Sequence, residues 1–300
     1  PFFFQIGFAE PHRPFGRDGT PPDDEKGVAV PGYLPDCDAA RREFAEYQGS
    51  IKRLDAAVGS ILEALDNSPH AENTTVVFTT DHGSPFPRAK MNLYDPGLRT
   101  VCIVRDPELT GRAGARCPET ISNVDFTPTM IDLFGLEPKD DLHGRSFAGL
   151  LAGSGDYEPR DKIFATQTYH GPAYLPMRAV RTARYKYIVN FDYGPEINNT
   201  KSDIWTECLV DDPKYNRQHA RFELYDLEKD PWEFDNLAGR PEVYDIEKRL
   251  DSELRDYMRR TDDPLLKGVP PTLAYHEAMK PRWHQDRSGQ RMLGGEGAQE

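Results

Sequence analysis

Two short polar motifs contain residue types that a catalytic site would need. Asp81 and His82 directly follow the β-branched, apolar run 74–80, which predicts a buried strand. In open α/β sheets ligands bind at the carboxyl ends of such strands. This carboxylate and imidazole could therefore bind a metal ion or move protons, or they could simply form a polar turn that caps the strand. His12 and Arg13 follow the first apolar run of the chain in the same way.

Lys90 follows Asp81 beyond the segment Ser84-Pro85-Phe86-Pro87. Taken alone it is typical of a surface lysine, and His12 taken alone is more typical of a structural histidine than of a catalytic one. If the two strands that precede these motifs are neighbours in one sheet, however, their polar groups converge. Two imidazoles, a carboxylate, a guanidinium and an ammonium around one pocket would suit an anionic tetrahedral group together with a cation.

The elements that must position these residues predict an α/β fold in the first half of the chain. The segment 10–37, rich in Pro, Gly and Asp, is expected to be a long and functional loop. Apolar residues from Phe44 to Leu65 recur at intervals of three and four, which predicts an amphipathic helix over 38–66. The other expected elements are strands at 2–9, 74–80 and 98–104 and short helices at 126–134 and 146–152.

The second half has a different pattern, which predicts an antiparallel sheet covered by a helix. Strands are expected at 163–168, 177–182, 185–191 and 223–227, and a helix is expected at 241–260. We therefore predict a domain at 1–153, a smaller subdomain at 154–262, and a polar tail at 263–300 that wraps the surface or is disordered.

Composition narrows the classes of function. The 300-residue chain has a formal net charge of −13, which argues against a general binder of nucleic acid or anionic membranes. Its apolar runs fall short of the roughly 18 residues that a membrane span needs. The four cysteines, at 37, 102, 117 and 208, include no CxxC pair, so a cysteine zinc site is not expected. The cysteine count leaves the redox compartment open.

Several motifs, in order and spacing over roughly residues 1–260, resemble the sulfatase family of the alkaline-phosphatase superfamily. They are Glu10-Pro11-His12-Arg13, the long helix with Asp55 and Gly59, the strand ending in Asp81-His82-Gly83, the segment from Thr182 to Ile188, and the segment from Glu223 to Ala238. Within that family, Gly83-Ser84-Pro85-Phe86-Pro87 and Pro176-Met177-Arg178 are most similar to the heparan N-sulfatase (sulfamidase) branch. The resemblance implies a partial sulfatase α/β sandwich with a central mixed sheet, followed by the antiparallel sheet and helix.

The resemblance also implies roles for individual residues. Asp81 and His82 match ligands of the family's divalent cation, normally calcium (Ca2+), although imidazole is an unusual ligand for such a hard ion. Lys90 matches the residue that holds the sulfate, and His12 matches a general acid near the leaving group. Arg13 is expected to stabilise the loop and is kept as a substrate-binding candidate.

The segment 166–171 aligns with a sulfamidase stretch that contributes to the substrate pocket, which makes His170 a candidate sugar contact. The alternative is that His170 is a histidine at a strand end that binds no ligand. Glycine stands at 171, where the branch has an acidic residue. The loss of that carboxylate leaves an O-sulfatase acting on a sulfated sugar as a rival to the sulfamidase.

One departure from the family pattern affects the expected activity. The family nucleophile is a formylglycine made in a C-x-P-S-R or S-x-P-x-R motif, and no such motif occurs in this sequence. The family's paired aspartates on its first strand are also missing, and both features precede the matched region. We therefore expect the chain to be the C-terminal part of a longer sulfatase and to have no turnover on its own.

The expected substrate is a sulfated saccharide, such as N-sulfoglucosamine of heparan-type glycans, and no nucleic-acid or membrane partner is expected. The family resemblance suggests a secreted, periplasmic or lysosomal location. The alternatives are a phosphodiesterase or phosphonate hydrolase of the same superfamily, or a non-catalytic homologue that binds sulfated glycans.

Overall fold

The computed structural model describes residues 1–112, 114–137, 141–154, 157–170, 173–192, 208–209 and 212–268. By internal packing the chain divides into two compact units. The first contains Pro1–Lys90, Tyr94–Ile163 and Glu196–Arg217, and the second contains Met91–Leu93, Phe164–Pro195 and Gln218–Glu300. Where the sequence places a boundary after residue 153, the units change between Ile163 and Phe164. The domain bounds drawn from the sequence stay predictions.

The first unit has the helix and strand order expected of α/β layers. Its elements are α1 (Asp38–Asp66), β1 (Val76–Thr79), α2 (Asp95–Leu98), β2 (Cys102–Arg105), α3 (Phe126–Leu133) and α4 (Ala148–Ala152). The long helix has the predicted bounds. In the described residues the sheet of this unit is an antiparallel pair, with Val77 of β1 opposite Val104 of β2. The strand expected at 98–104 therefore begins later, because α2 occupies the residues before it.

The opening strand predicted at 2–9 is wrong. Residues 1–9 adopt no regular structure, and Phe3 and Phe4 are 81% and 77% exposed. A strand is stable only when a neighbour satisfies its backbone hydrogen bonds and covers one of its faces. Among the described residues β1 and β2 pair with each other, and no strand pairs with this apolar segment.

An aromatic cluster anchors the N-terminal half of α1. The Phe44 and Phe86 rings stack with centroids 4.0 Å apart, and Tyr47 meets Phe86 edge-on at 5.1 Å. Phe15 completes the cluster, 5.9 Å from Phe86. Aromatic pairs at these separations add to the free energy gained by burying their surface. The cluster therefore fixes both the loop before α1 and the segment after β1 against the same face of the helix.

The second unit is the predicted sheet covered by a helix. The strands β3 (Lys162–His170), β4 (Ala173–Thr182), β5 (Tyr185–Asn190) and β6 (Phe222–Asp226) lie in sequence order, and β5 pairs antiparallel with both β4 and β6. The predicted two-residue turn at 183–184 joins β4 and β5. The helix α5 (Tyr244–Arg260) follows a short 3-10 turn, Pro241–Val243. Its Leu250, Leu254 and Met258 pack on the sheet in one apolar core.

Residues 263–268, at the start of the predicted tail, contact the sheet and helix of the second unit. The Asp263 carboxylate forms a buried, two-point ion pair with Arg178 of β4, and Leu265 joins the core of the second unit. A carboxylate that pairs with a buried arginine is held in place because separation would leave a buried charge unpaired. Residues 269–300 of the predicted tail lie outside the described residues. No helix in the described ranges is long and apolar enough to cross a bilayer.

Asp125 organises the segment that leads into α3. Its carboxylate accepts hydrogen bonds from the backbone N–H groups of Ser122 and Arg145, both at 2.9 Å, and from the Arg160 guanidinium. Burial raises the pKa of Asp125, but these donors and the positive charge of Arg160 outweigh that effect, so the pKa lies below its usual value. One carboxylate thus ties together three segments of the first unit.

Replacing Asp125 with asparagine should lower the free energy of unfolding by about 3 kcal/mol at neutral pH, because Arg160 would lose its carboxylate partner. A carboxyl whose pKa is lowered on folding contributes stability above its unfolded value of about 3.9 and loses that contribution as pH falls through the folded value. The difference between wild type and Asp125→Asn in urea unfolding should therefore shrink as the pH is lowered from about 6 towards 3.

Asp161→Asn is the matched control. Asp161 pairs with Lys162 at 3.0 Å, but its side chain is 79% exposed. Such exposed pairs contribute roughly 0–1 kcal/mol. If the two variants lost equal stability at neutral pH, the organising role of Asp125 would be wrong.

Candidate active site

His12 and Lys90 meet in the first unit. The Lys90 Nζ lies 3.2 Å from the His12 Nε2, and Lys90 is only 8% exposed. The His12 Nδ1 lies 2.6 Å from the carbonyl oxygen of Arg13, which can only accept a hydrogen bond. Nδ1 therefore carries a proton, and in the neutral ring Nε2 accepts a hydrogen bond from the Lys90 ammonium. The sequence places these residues far apart, and the fold brings a cation and an imidazole together.

The backbone around Lys90 is tightly constrained. Its N–H donates to the carbonyl oxygen of Ser84 at 3.1 Å. Arg88 and Met91, on either side, have φ values of 61° and 71°, in the left-handed region that non-glycine residues rarely adopt. The Arg88 side chain is buried and lies 4.5 Å over the Tyr94 ring. Conformations of this kind persist where surrounding contacts impose them, and they are common at functional sites.

Gly83 allows the segment after β1 to approach another backbone closely. Its N–H donates to the Gly97 carbonyl oxygen at 2.8 Å. The N–H of Ser84 donates to the Pro96 carbonyl oxygen at 3.2 Å. A Cβ atom at position 83 would lie only 1.9 Å from the Pro96 oxygen. Glycine is therefore required where the segment with Asp81 and His82 turns towards Lys90.

Asp81 and His82 face each other. The His82 Nδ1 lies 2.8 Å from the Gly83 carbonyl oxygen and so carries a proton, which leaves a lone pair on Nε2 in the neutral ring. That Nε2 lies 3.6 Å from the Asp81 Oδ2. Both atoms have lone pairs that could bind a metal ion.

The two side chains fit part of the coordination shell of a divalent cation. Hard cations such as Ca2+ prefer six to eight oxygen ligands. Asp81, whose side chain is 87% exposed, offers carboxylate oxygens, whereas His82 offers the less suitable nitrogen. Within the described ranges no group of three or more histidine, cysteine or acidic residues is arranged to hold a metal ion. These two residues therefore account for a fraction of such a site.

Arg13 makes contacts within the first unit, and its assignment as a substrate-binding residue stays a prediction. Its side chain is 16% exposed and forms a two-point ion pair with Glu43 of α1, with Nη2 3.0 Å from Oε2. Its Nε also donates to the carbonyl oxygen of Pro85 at 2.9 Å. These contacts join the loop that contains Arg13 to α1 and to the segment after β1.

His170 belongs to the second unit, at the exposed end of β3. Its assignment as a sugar contact stays a prediction. Residue 171, where the sequence has glycine, lies outside the described residues.

Sequence reasoning missed Glu43 and Tyr33. Glu43 has a side chain that is 3% exposed, and the Tyr33 hydroxyl lies 2.7 Å from the Ser84 Oγ. Glu43 could have been found, because it lies four residues before Tyr47 on the apolar stripe of α1, where a carboxylate needs a buried partner. Tyr33 lies in a Pro- and Gly-rich stretch and gave no comparable signal.

Comparisons with known proteins identify the family. The sulfatase family profile matches residues 1–136, and the profile of the C-terminal region of N-sulphoglucosamine sulphohydrolase matches residues 87–203. The chain belongs to the sulfatase family. The sulfatase matches cover both His12 and Lys90, as well as the motif that contains Asp81 and His82.

Individual sulfatases are similar over most of the chain. The human N-sulphoglucosamine sulphohydrolase is 28% identical over 88% of this chain and 62% of its own length. An ulvan-active sulfatase of Formosa agariphila is 32% identical over 74% of this chain and 40% of its own length. The solved structure of a 2-O GAG sulfatase shares the fold with a TM-score of 0.62 and 24% identity, over 76% of this chain and 45% of that one. The predicted class, a partial sulfatase α/β fold with a C-terminal sheet subdomain, is confirmed. The chain spans about half the length of the sulfatases that it matches.

Gly83→Ala should destabilise this sulfatase chain, because the added methyl group collides with the Pro96 backbone and the segment must shift. Overpacking of this kind costs roughly 1–3 kcal/mol, which a urea-unfolding curve resolves. Gly59→Ala is the matched control, since Gly59 lies inside α1 with open space around its Cβ position. That change should stabilise the helix by roughly 0.5–1 kcal/mol. A neutral Gly83→Ala would contradict the close backbone approach.

Proposed function

We propose that the protein containing this chain hydrolyses the sulfate ester or sulfamate of a sugar. The observation that carries the proposal is the Lys90 ammonium beside the His12 imidazole, 3.2 Å apart, in a chain of the sulfatase family. Transfer of a sulfuryl group needs positive charge at its oxygens and a proton for the departing atom. This pair offers one group for each need.

Lys90 supplies the charge. Its ammonium is nearly excluded from water, and a charge acts more strongly on a substrate where the local dielectric is low. Placed before the reaction begins, it stabilises negative charge on the sulfuryl oxygens in the transition state without further reorganisation. Its contribution should therefore be similar for all sulfated substrates.

His12 supplies the proton. In the structure Nδ1 donates to the Arg13 carbonyl oxygen, so the ring is held with Nε2 towards Lys90. Nε2 accepts a hydrogen bond in the neutral ring, and it can donate to a leaving oxygen or nitrogen only in the protonated ring. A sugar alkoxide or amine needs such a donor, whereas an acidic phenol leaves readily without one.

The reaction needs two further groups besides Lys90 and His12: a nucleophile and a divalent cation. The family's formylglycine would supply the attack on sulfur, and a divalent cation, calcium in the family, would supply further positive charge at the sulfuryl oxygens. Asp81 would hold part of the cation's shell, with His82 as its neighbour. We propose that the formylglycine and the other ligands lie outside these 300 residues, since the matched sulfatases are longer than this chain.

The favoured substrate is an N-sulfated glucosamine. The supporting observation is the match of residues 87–203 to the C-terminal region of N-sulphoglucosamine sulphohydrolase. An O-sulfated sugar is the rival, because glycine occupies position 171. We further propose an oxidising compartment, which the disulfide between Cys37 and Cys208 supports.

The full-length protein should release sulfate from glucosamine N-sulfate at least about tenfold faster, in kcat/KM, than from glucosamine 6-O-sulfate or 4-nitrocatechol sulfate. A tenfold ratio corresponds to about 1.4 kcal/mol of transition-state discrimination. Sulfate release is measured by ion chromatography. A tenfold preference for an O-sulfated substrate would exclude the sulfamidase and keep the sulfatase. Hydrolysis of a phenylphosphonate monoester, without release of sulfate from any substrate, would exclude both.

Variants of His12 and Lys90 should respond differently to the leaving group. His12→Gln should lower kcat/KM by about 100-fold or more on a sugar sulfate, in line with the loss of a general acid. On 4-nitrocatechol sulfate the same variant should lose less than about tenfold. Lys90→Ala should reduce both activities by a similar factor. Equal losses for His12→Gln on the two substrates would contradict its role as proton donor.

A further inference from the structure

The Arg13 guanidinium contacts three segments of the first unit at once. It pairs with Glu43 of α1, and its Nε donates to the Pro85 carbonyl oxygen at 2.9 Å. Its Cζ atom lies 4.7 Å from the Phe15 ring centroid and 5.2 Å from the Phe86 ring centroid. A planar fork with five donors suits such a position, and a lysine ammonium cannot reproduce it. The residue next to His12 is therefore tied to the segment that leads to Lys90.

A second contact holds the same segment from another direction. The Tyr33 hydroxyl lies 2.7 Å from the Ser84 Oγ, and Tyr33 is 4% exposed. Burial raises the pKa of Tyr33 to about 12, more than its hydrogen bond with Ser84 lowers it, so the hydroxyl keeps its proton at neutral pH. Ser84 and Pro85 are therefore anchored from two directions, by the Tyr33 hydroxyl and by the Arg13 guanidinium.

This anchored dipeptide fixes Lys90. The Ser84 carbonyl oxygen accepts the hydrogen bond of the Lys90 N–H at 3.1 Å. Any displacement of the dipeptide thus moves the lysine backbone. A shift of about 1 Å in a reacting group can lower a rate about 100-fold, so contacts that do not touch the substrate can still determine the rate.

We propose that Arg13, Glu43 and Tyr33 are positioning residues, which hold the Lys90 ammonium at the His12 imidazole. The expected effect of these residues on the reaction rate rests on the proposed function. Their expected effect on the distance between Lys90 and His12 does not depend on the reaction. Glu43 acts by fixing the Arg13 fork, Arg13 acts on Pro85, and Tyr33 acts on Ser84. None of the three is assigned contact with substrate.

The geometric test uses nitrogen NMR of the full-length protein labelled in histidine. The resonance of the His12 Nε2 is identified by its loss in His12→Gln. Lys90→Gln defines the shift that follows when the ammonium is removed. Arg13→Lys and Tyr33→Phe should move the same resonance in the same direction. Tyr33→Phe removes one hydroxyl from a packed ring, so it keeps the test valid if Arg13→Lys fails to fold.

The kinetic test is a double-mutant cycle measured on the best substrate of the wild type. Tyr33→Phe alone should lower kcat about tenfold and leave KM within about twofold. In a Lys90→Ala background the same change should have little further effect, because a residue that acts through Lys90 has nothing left to position. A change that merely weakens the fold would cost the same in both backgrounds.

Arg41→Lys is the matched control on α1. Arg41 pairs with Asp36 at 2.6 Å, both side chains are 50% exposed, and neither contacts the Ser84–Pro85 segment in the described structure. It should leave the His12 resonance and kcat unchanged. An unmoved His12 resonance in both Arg13→Lys and Tyr33→Phe would overturn the positioning proposal. A protein without sulfatase activity but with the predicted NMR shifts would instead refute the proposed function alone.

Discussion

Arg13 and Glu43 form an ion pair that is almost fully removed from water, with side chains 16% and 3% exposed. Moving two charges out of water is costly, and the cost is offset only if good geometry and further hydrogen bonds satisfy the remaining polar atoms. Here the additional partners are the Pro85 carbonyl oxygen and the faces of two aromatic rings. The loop before α1 and the segment after β1 therefore cannot move independently, and the positions of His12 and Lys90 follow from this constraint.

Buried charge pairs also order the second unit. Lys186 and Glu233 are fully buried with Nζ and Oε1 2.7 Å apart, and Arg178 pairs with Asp263. His219 lies between the Glu223 carboxylate and the Asn92 amide oxygen, at 3.0 and 3.1 Å. Separating such a pair would leave a buried charge without its partner, which is costly. Each pair therefore holds a strand of the sheet to a segment outside it: Lys186 of β5 to Glu233, and Arg178 of β4 to Asp263.

Periodic segments were the predictable part of the fold. The stripe of α1, the two-residue turn between β4 and β5, and the apolar face of α5 depend on local spacing, which the sequence displays directly. The opening apolar run was misjudged because apolar composition does not show whether a neighbouring strand is present, and a strand needs such a neighbour to form. His12 and Lys90 were identified by resemblance, but their 3.2 Å approach depends on Glu43 and Tyr33. A buried carboxylate on a helix stripe is visible in the sequence, whereas its partner is not.

The disulfide between Cys37 and Cys208 has a topological consequence. It joins residues separated by 171 positions and so closes a covalent ring that contains α1, Lys90 and Asp125. His12 lies on the open chain before the ring, and α5 lies on the open chain after it. A protease that cut the backbone once inside the ring would leave both fragments attached through sulfur. The two fragments would separate only after reduction, so a nicked molecule would remain one covalent unit until a thiol reduced the disulfide.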